Sequence, residues 1–488
     1  GELTGTVVVF SGNKTTNNGH GGALNIASAN VSSKVSFTDS TFDGNFAGNG
    51  GAVYVQGQTV SFTDTTFTNN QAQGFGGAIR ANGGTINFNV SLGETNTVLG
   101  NTTVADSWTA NRYAGDLGGF MYLQNGAKAN FDVAGTLVIG QAGAASDGIS
   151  AVSKAGEVNQ INVSGDGEMV VNSDMTAFVG ELNIKGGSLT LNSGIGEYDM
   201  AMQEAVNLAS KGNEANYTSV GTRITLTNNA ELTTGDLAVN NLLDIDVTDG
   251  TLKTGAITVD KSAEYKDLVI NEKEEAAKSV TTTGAATLTS NGTAEIASIT
   301  VNAEGASFAA DGTGSMTVLG DIAVEAGSFT SSTAEASAAN VTSKIANGFK
   351  VKGGDFVTGN VSAGKTGSVV VESSGKLTAT GDINGEKGGV SVAGTLVTGL
   401  ANVVNYDAAT GKATALTNAV VDFNNGSLET TDEIDFTVDA WNSIKTAAGA
   451  DHLKMGNGTL VASTPDGKLT FADVSKVEGY AGHAVVYK

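Results

Sequence analysis

Val35-Ser36-Phe37-Thr38-Asp39-Ser40-Thr41-Phe42-Asp43-Gly44-Asn45 returns as Val60-Ser61-Phe62-Thr63-Asp64-Thr65-Thr66-Phe67-Thr68-Asn69-Asn70, displaced by 25 residues with eight of eleven positions unchanged. A glycine couplet follows each copy, Gly50-Gly51-Ala52-Val53 and Gly76-Gly77-Ala78-Ile79. Two further copies flank these. Phe10 and Asn13 precede Gly21-Gly22-Ala23-Leu24, and Trp108 and Asn111 precede Gly118-Gly119-Phe120-Met121. In all four, an aromatic-x-x-Asn unit is followed by Gly-Gly and apolar residues, 8 to 11 positions after the aromatic.

A period near 25 built from short alternating apolar runs points to an all-β chain, a parallel β-helix or β-solenoid. Each short strand then pairs with its copy one coil away, ~4.8 Å along the axis. Equivalent residues stack on themselves: Phe37 on Phe62, Phe42 on Phe67, Asn45 on Asn70. Stacked rings and asparagine ladders reinforce the backbone pairing, as in other cross-β arrangements. The couplets suit corners, where positive φ or a close backbone approach is needed. A single proline, Pro465, in 488 residues fits strands that need every N–H for the ladder.

These motifs resemble the FxxN and GGA(I/L/V) repeats of polymorphic outer membrane proteins, within the wider autotransporter group. The resemblance spans roughly residues 5–125. It implies a right-handed parallel β-helix passenger, displayed at the cell surface after export through the outer membrane and used in adhesion. The chain departs from many members of that group in having no cysteine, and no tract of it reads as a translocator barrel.

Beyond residue 130 the motif fades while the period persists. Glu231-Leu232-Thr233-Thr234-Gly235 is echoed 20 residues later by Thr251-Leu252-Lys253-Thr254-Gly255. The expected organisation is a regular repeat solenoid over 1–130 and a degenerate one over 131–435. The remaining 436–488, with Trp441, Pro465, Tyr480 and Tyr487, forms a C-terminal cap or junction. Short helical insertions are expected near 197–212, where Met202, Ala205, Val206 and Ala209 have helical spacing before Gly212, and near 271–278. Ser337–Ile345 and Ala440–Ala448 also read as helix. Such insertions are candidate partner surfaces.

Composition narrows the function. Lys+Arg number 26 against 50 Asp+Glu, a net charge of -24, and only Arg80, Arg112 and Arg223 are arginines, which excludes phosphate-backbone binding. Without cysteine there is neither a disulfide scaffold nor a zinc-cysteine site. No apolar run approaches the ~18 residues of a membrane helix, so this segment is not expected to insert in a membrane. Gly1 in place of Met reads as a processed or trimmed start.

Parallel β-helices also include polysaccharide-cleaving enzymes, which need clustered carboxylates. Asp39 above Asp64, with Asp43 nearby, are the candidates, for catalysis or for a cation. No basic residue accompanies them, and an exposed carboxylate ladder is the plainer reading. His20, His452 and His483 show no metal-ligand spacing. The expected function is therefore that of a non-catalytic, surface-displayed bacterial adhesin or self-associating passenger. Its partners would be host or bacterial surface molecules or copies of itself. It would have no cofactor beyond loosely bound calcium. A structural subunit of a surface lattice or filament, and a polysaccharide-degrading enzyme, are the alternatives.

Overall fold

The structure is a computed structural model that describes residues 2–15, 19–27, 34–104, 117–209, 219–266, 279–364, 368–385 and 389–398. It also describes seven short strands between 404 and 487. The fold is a parallel β-helix, divided into two compact units. Gly1–Gly255 with Asp260–Ala286 form the first, and Ala256–Val259 with Thr287–Lys488 the second.

In the first unit every coil contributes one strand to each of two parallel columns. One column runs Glu2–Thr6, Lys34–Thr38, Thr59–Thr63, Thr85–Val90, Lys128–Val133, Gln160–Ser164, Glu181–Lys185 and Thr222–Leu226. The other passes through Val9–Ser11, Thr41–Asp43, Thr66–Thr68, Thr95–Leu99 and Thr136–Ile139 to Glu231–Thr234. Alternation decides which side chains enter. In Lys34–Thr38 and Thr59–Thr63, Val35, Phe37, Val60 and Phe62 are buried while Ser36 and Ser61 face outward.

A third column holds Leu24–Ala27, Val53–Gln56, Ile79–Asn82, Met121–Gln124 and Ile149–Val152, and continues to the next coil as an isolated parallel bridge from Ala151 to Phe178. Its outer face is roofed rather than solvated. Tyr122 packs with Phe75, Leu117, Ala177 and Met200 in a small core outside the coil. Met200 opens helix α1, Met200–Ala209, inside the segment that helical spacing marks out. Asp199 caps it, its Oδ1 accepting from the backbone N–H groups of Ala201 (2.9 Å) and Met202 (3.2 Å), and Ser219 Oγ donates to Oδ2. From Met200 to Asn207 only Glu204 is not buried, so the helix is cover for the coil and offers little surface to a partner. It lies beside an antiparallel hairpin, Lys261–Lys266 with Ser279–Thr283.

The second unit repeats the scheme with coils near 20 residues. Ser307–Asp311, Ser328–Ser331 and the first half of Phe349–Thr358 stack in one column. Ser315–Val318, Glu335–Ala338 and the second half of Phe349–Thr358 form another. Ile322–Val324, Val341–Ser343, Val361–Ala363 and Ile383–Gly385 form the third. Phe308, Phe329 and Phe349 stack inside, with centroids 5.5 and 5.0 Å apart.

Ser337–Ile345, expected as helix, is strand. Glu335–Ala338 alternates exposed and buried and pairs with Ser315–Val318, while Val341–Ser343 pairs with Ile322–Val324. The Ala- and Ser-rich composition favours a helix only locally, and the neighbouring rung supplies a ladder that overrides it. The expected helices at 271–278 and 440–448 lie outside the described residues. Within 436–488 the described strands are Leu453–Lys454, Thr459–Ala462 and Val485–Tyr487, each in parallel pairing.

Candidate functional site

The repeat residues form three internal columns. Phe10, Phe42 and Phe67 stack with centroids 4.7 and 4.9 Å apart. Phe37, Phe62, Phe88 and Phe131 form a second ring column, meeting the first edge-on, as in the T-shaped Phe62–Phe67 pair at 5.0 Å. Such edge-to-face pairs add to the area each ring buries.

Asn13, Asn45, Asn70 and Asn101 form the third column. Asn45 and Asn70 each donate two hydrogen bonds to the next residue's Oδ1, one from the backbone N–H (3.0 Å each) and one from Nδ2 (2.9 and 2.8 Å). Their Nδ2 groups also donate to the carbonyls of Phe10 and Phe42. The ladder ends on a carboxylate. Asp147, fully buried, accepts from Asn101 N–H and Nδ2 on Oδ1, and from Gly100 N–H and Ser146 Oγ on Oδ2. Sequence spacing did not reveal that terminus.

The glycine couplets divide two tasks. Gly76 has φ +67°, which an L side chain rarely adopts, and a Cβ on Gly77 would lie 2.2 Å from the Gly119 carbonyl oxygen. Gly21-Gly22, Gly50-Gly51 and Gly118-Gly119 occupy the same corner on neighbouring coils. Trp108 and Asn111 lie outside the described residues.

Asp39 and Asp64 take equivalent corner positions with φ +49° and +47°. Asp64 accepts from Ser91 N–H (2.9 Å) and Ser91 Oγ (2.6 Å), so its carboxylate ties this corner to the next coil. Asn69 Nδ2 and Thr68 Oγ1 donate to Asp43, holding its carboxyl below the usual range. Among the described residues no three acidic or imidazole side chains gather closely enough to hold a metal ion.

His20 stacks on Tyr54 at 4.3 Å, its Nδ1 buried without a hydrogen bond. Burial, then the Arg80 guanidinium, depresses its pKa. Arg80 in turn lies over the rings of Phe75, Tyr122 and Tyr54, at 5.1, 5.7 and 5.9 Å.

An outward asparagine column went unnoticed in the sequence. In register on the first column lie Ser61, Asn87, Asn130, Asn162 and Asn183. Each asparagine Nδ2 donates to the residue one rung before, at 3.2, 2.8, 2.9 and 3.0 Å.

The Chlamydia polymorphic membrane protein repeat family matches residues 39–56 and 64–82, the two best copies of this corner-and-ladder unit. A probable autotransporter of Escherichia coli strain K12, YfaL, is 30% identical over 206 residues. The chain carries polymorphic membrane protein-type repeats in those two stretches and is similar to an autotransporter. These similarities indicate a surface-exposed protein exported through the outer membrane. The match covers 37% of this chain and 16% of the relative's length. No solved structure matches the chain. Among the described residues no helix is long and apolar enough to cross a membrane.

Proposed function

We propose that this chain is a non-catalytic adhesin, acting through repeated polar contacts along its coil. Its partners are host or bacterial surface molecules, or copies of itself. The observation that carries this reading is the outward face of the first unit, where asparagine amides recur at one-rung spacing over four successive coils. Modest hydrogen bonds repeated at a fixed interval gain strength by avidity rather than through a single pocket. The non-catalytic reading is supported by the use of the repeat carboxylates, since Asp64 and Asp43 are engaged by neighbouring turn residues. Any bound calcium would be loosely held, and no other cofactor is needed.

The test is binding of the purified chain to bacterial and host cells, with light scattering to follow self-association. Saturable cell binding or self-association supports the reading. Neither of these, or turnover of a polysaccharide substrate, overturns it. Calcium-dependent polymerisation in place of cell binding would favour a lattice subunit.

A further inference from the structure

The outward asparagine column has a chemistry and a period that identify a ligand class. An asparagine amide offers two N–H donors and two lone pairs on Oδ1. In the column one N–H of each amide is spent on the preceding rung, and Asn87, Asn130 and Asn162 each accept one bond from the rung that follows. One donor and one lone pair per residue are left, on half-buried side chains whose orientation the ladder has already set. The row is therefore a pre-ordered strip of paired donors and acceptors repeating every ~4.8 Å, and binding to it costs little side-chain entropy.

The charge around the strip is balanced. The flanking outward positions in the same strands carry Lys128 and Lys185 against Asp132 and Glu181. Two cations to two anions is neutral in a chain whose net charge is -24. Such a face neither repels a neutral ligand nor concentrates a polyanion. The same position holds asparagine in four coils whose inward partners one residue on differ, Phe88, Phe131, Val163 and Ile184.

We propose that this strip binds an extended, neutral, β-linked polysaccharide laid along the coil axis, one sugar per rung. A β-1,4-linked chain is straight and advances by close to one rung per residue, and each sugar edge offers hydroxyls that both donate and accept. An α-linked chain curls and falls out of register after one or two rungs. The proposal rests on the adhesin reading above and names the ligand of that face.

The experiment is calorimetric titration of the full chain with cellohexaose, chitohexaose, cellobiose and maltohexaose. At least one of the two β-linked hexamers is expected to bind about tenfold or more tighter than cellobiose or maltohexaose. The Asn130→Thr/Asn162→Thr double variant, which puts strand-favouring β-branched residues at those positions, should lose about tenfold in hexamer affinity with its melting temperature nearly unchanged. Should that variant not fold, the near-isosteric Asn162→Asp takes its place with the same expected loss. No binding of either β-linked hexamer, equal binding of maltohexaose, or unchanged affinity in the folded variant overturns the proposal. Cell binding without hexamer binding overturns this inference and leaves adhesion standing. Hexamer binding with neither cell binding nor self-association overturns the adhesin reading alone.

Discussion

Asp147 shows how one residue closes a ladder. Each asparagine above it passes two donors to the next Oδ1, so the last rung needs an acceptor with no donor of its own. A carboxylate meets that need and takes four bonds. Asp147→Asn would turn an NH2 towards one of those donors, and unfolding in denaturant should show a loss of about 1–3 kcal/mol. Phe67 is fully buried between Phe42 and the Phe62 and Phe88 edges. Phe67→Ala should cost about 3–5 kcal/mol, read by the same unfolding experiment. A loss under about 1 kcal/mol, the range of surface changes, would contradict its place in the stack. His20 contributes a pH dependence of definite sign. Burial and the Arg80 guanidinium hold its pKa in the folded chain below the ordinary histidine value of 6.5, so the unfolded chain binds the proton more readily. Stability should therefore fall as pH drops through about 6.5 towards the folded pKa, and His20→Phe should remove that slope from melting curves recorded between pH 7.5 and 5.5.

The coil corner is the element whose failure would spread furthest. Gly22, Gly51 and Gly77 each face the next couplet's carbonyl oxygen so closely that a Cβ would stand 2.3, 2.1 and 2.2 Å from it. Backbone, unlike a side-chain tip, cannot step aside without moving the rung. Gly77→Ala should therefore cost at least the 1–3 kcal/mol typical of overpacking, seen as a drop in melting temperature. A neutral Gly77→Ala would mean that the corner can open. The couplets were legible because each follows an aromatic-x-x-Asn unit by 8 to 11 positions, whereas the helix was legible only in part. The spacing of Met202, Ala205 and Val206 announces α1, but nothing in it says that Met200 roofs Tyr122. That contact joins residues 78 positions apart, and chain order does not encode it.

For the whole molecule, charge is the term that composition sets. With 26 basic residues against 50 acidic ones, nearly half the carboxylates have no cation to pair with. The described ion pairs are surface pairs, such as Lys376–Asp355 at 3.0 Å and Lys154–Glu204 at 3.4 Å, and pairs of that kind stabilise little. Net self-repulsion should then dominate the salt response. Raising NaCl from about 10 to 150 mM shortens the screening length from ~30 to ~8 Å, and the melting temperature should rise. A flat or falling response would show that the carboxylates are already too far apart to repel.

The sequence by itself determined the parallel stacking, the inward rings and the first rungs of the asparagine ladder. In an in-register solenoid the repeat is the contact, so Phe42 lies over Phe67 because 25 residues separate them in a coil of that length. The tertiary structure alone decided the outward column. Its members are 43, 32 and 21 positions apart, because insertions lengthen some coils while the rung spacing stays constant. It also decided the strand at Ser337, where a neighbouring ladder overrode helical composition, and the carboxylate at Asp147, 46 residues beyond the asparagine it serves. Backbone pairing holds the rungs at one distance whatever the loops between them do, so spatial order survives where sequence period does not.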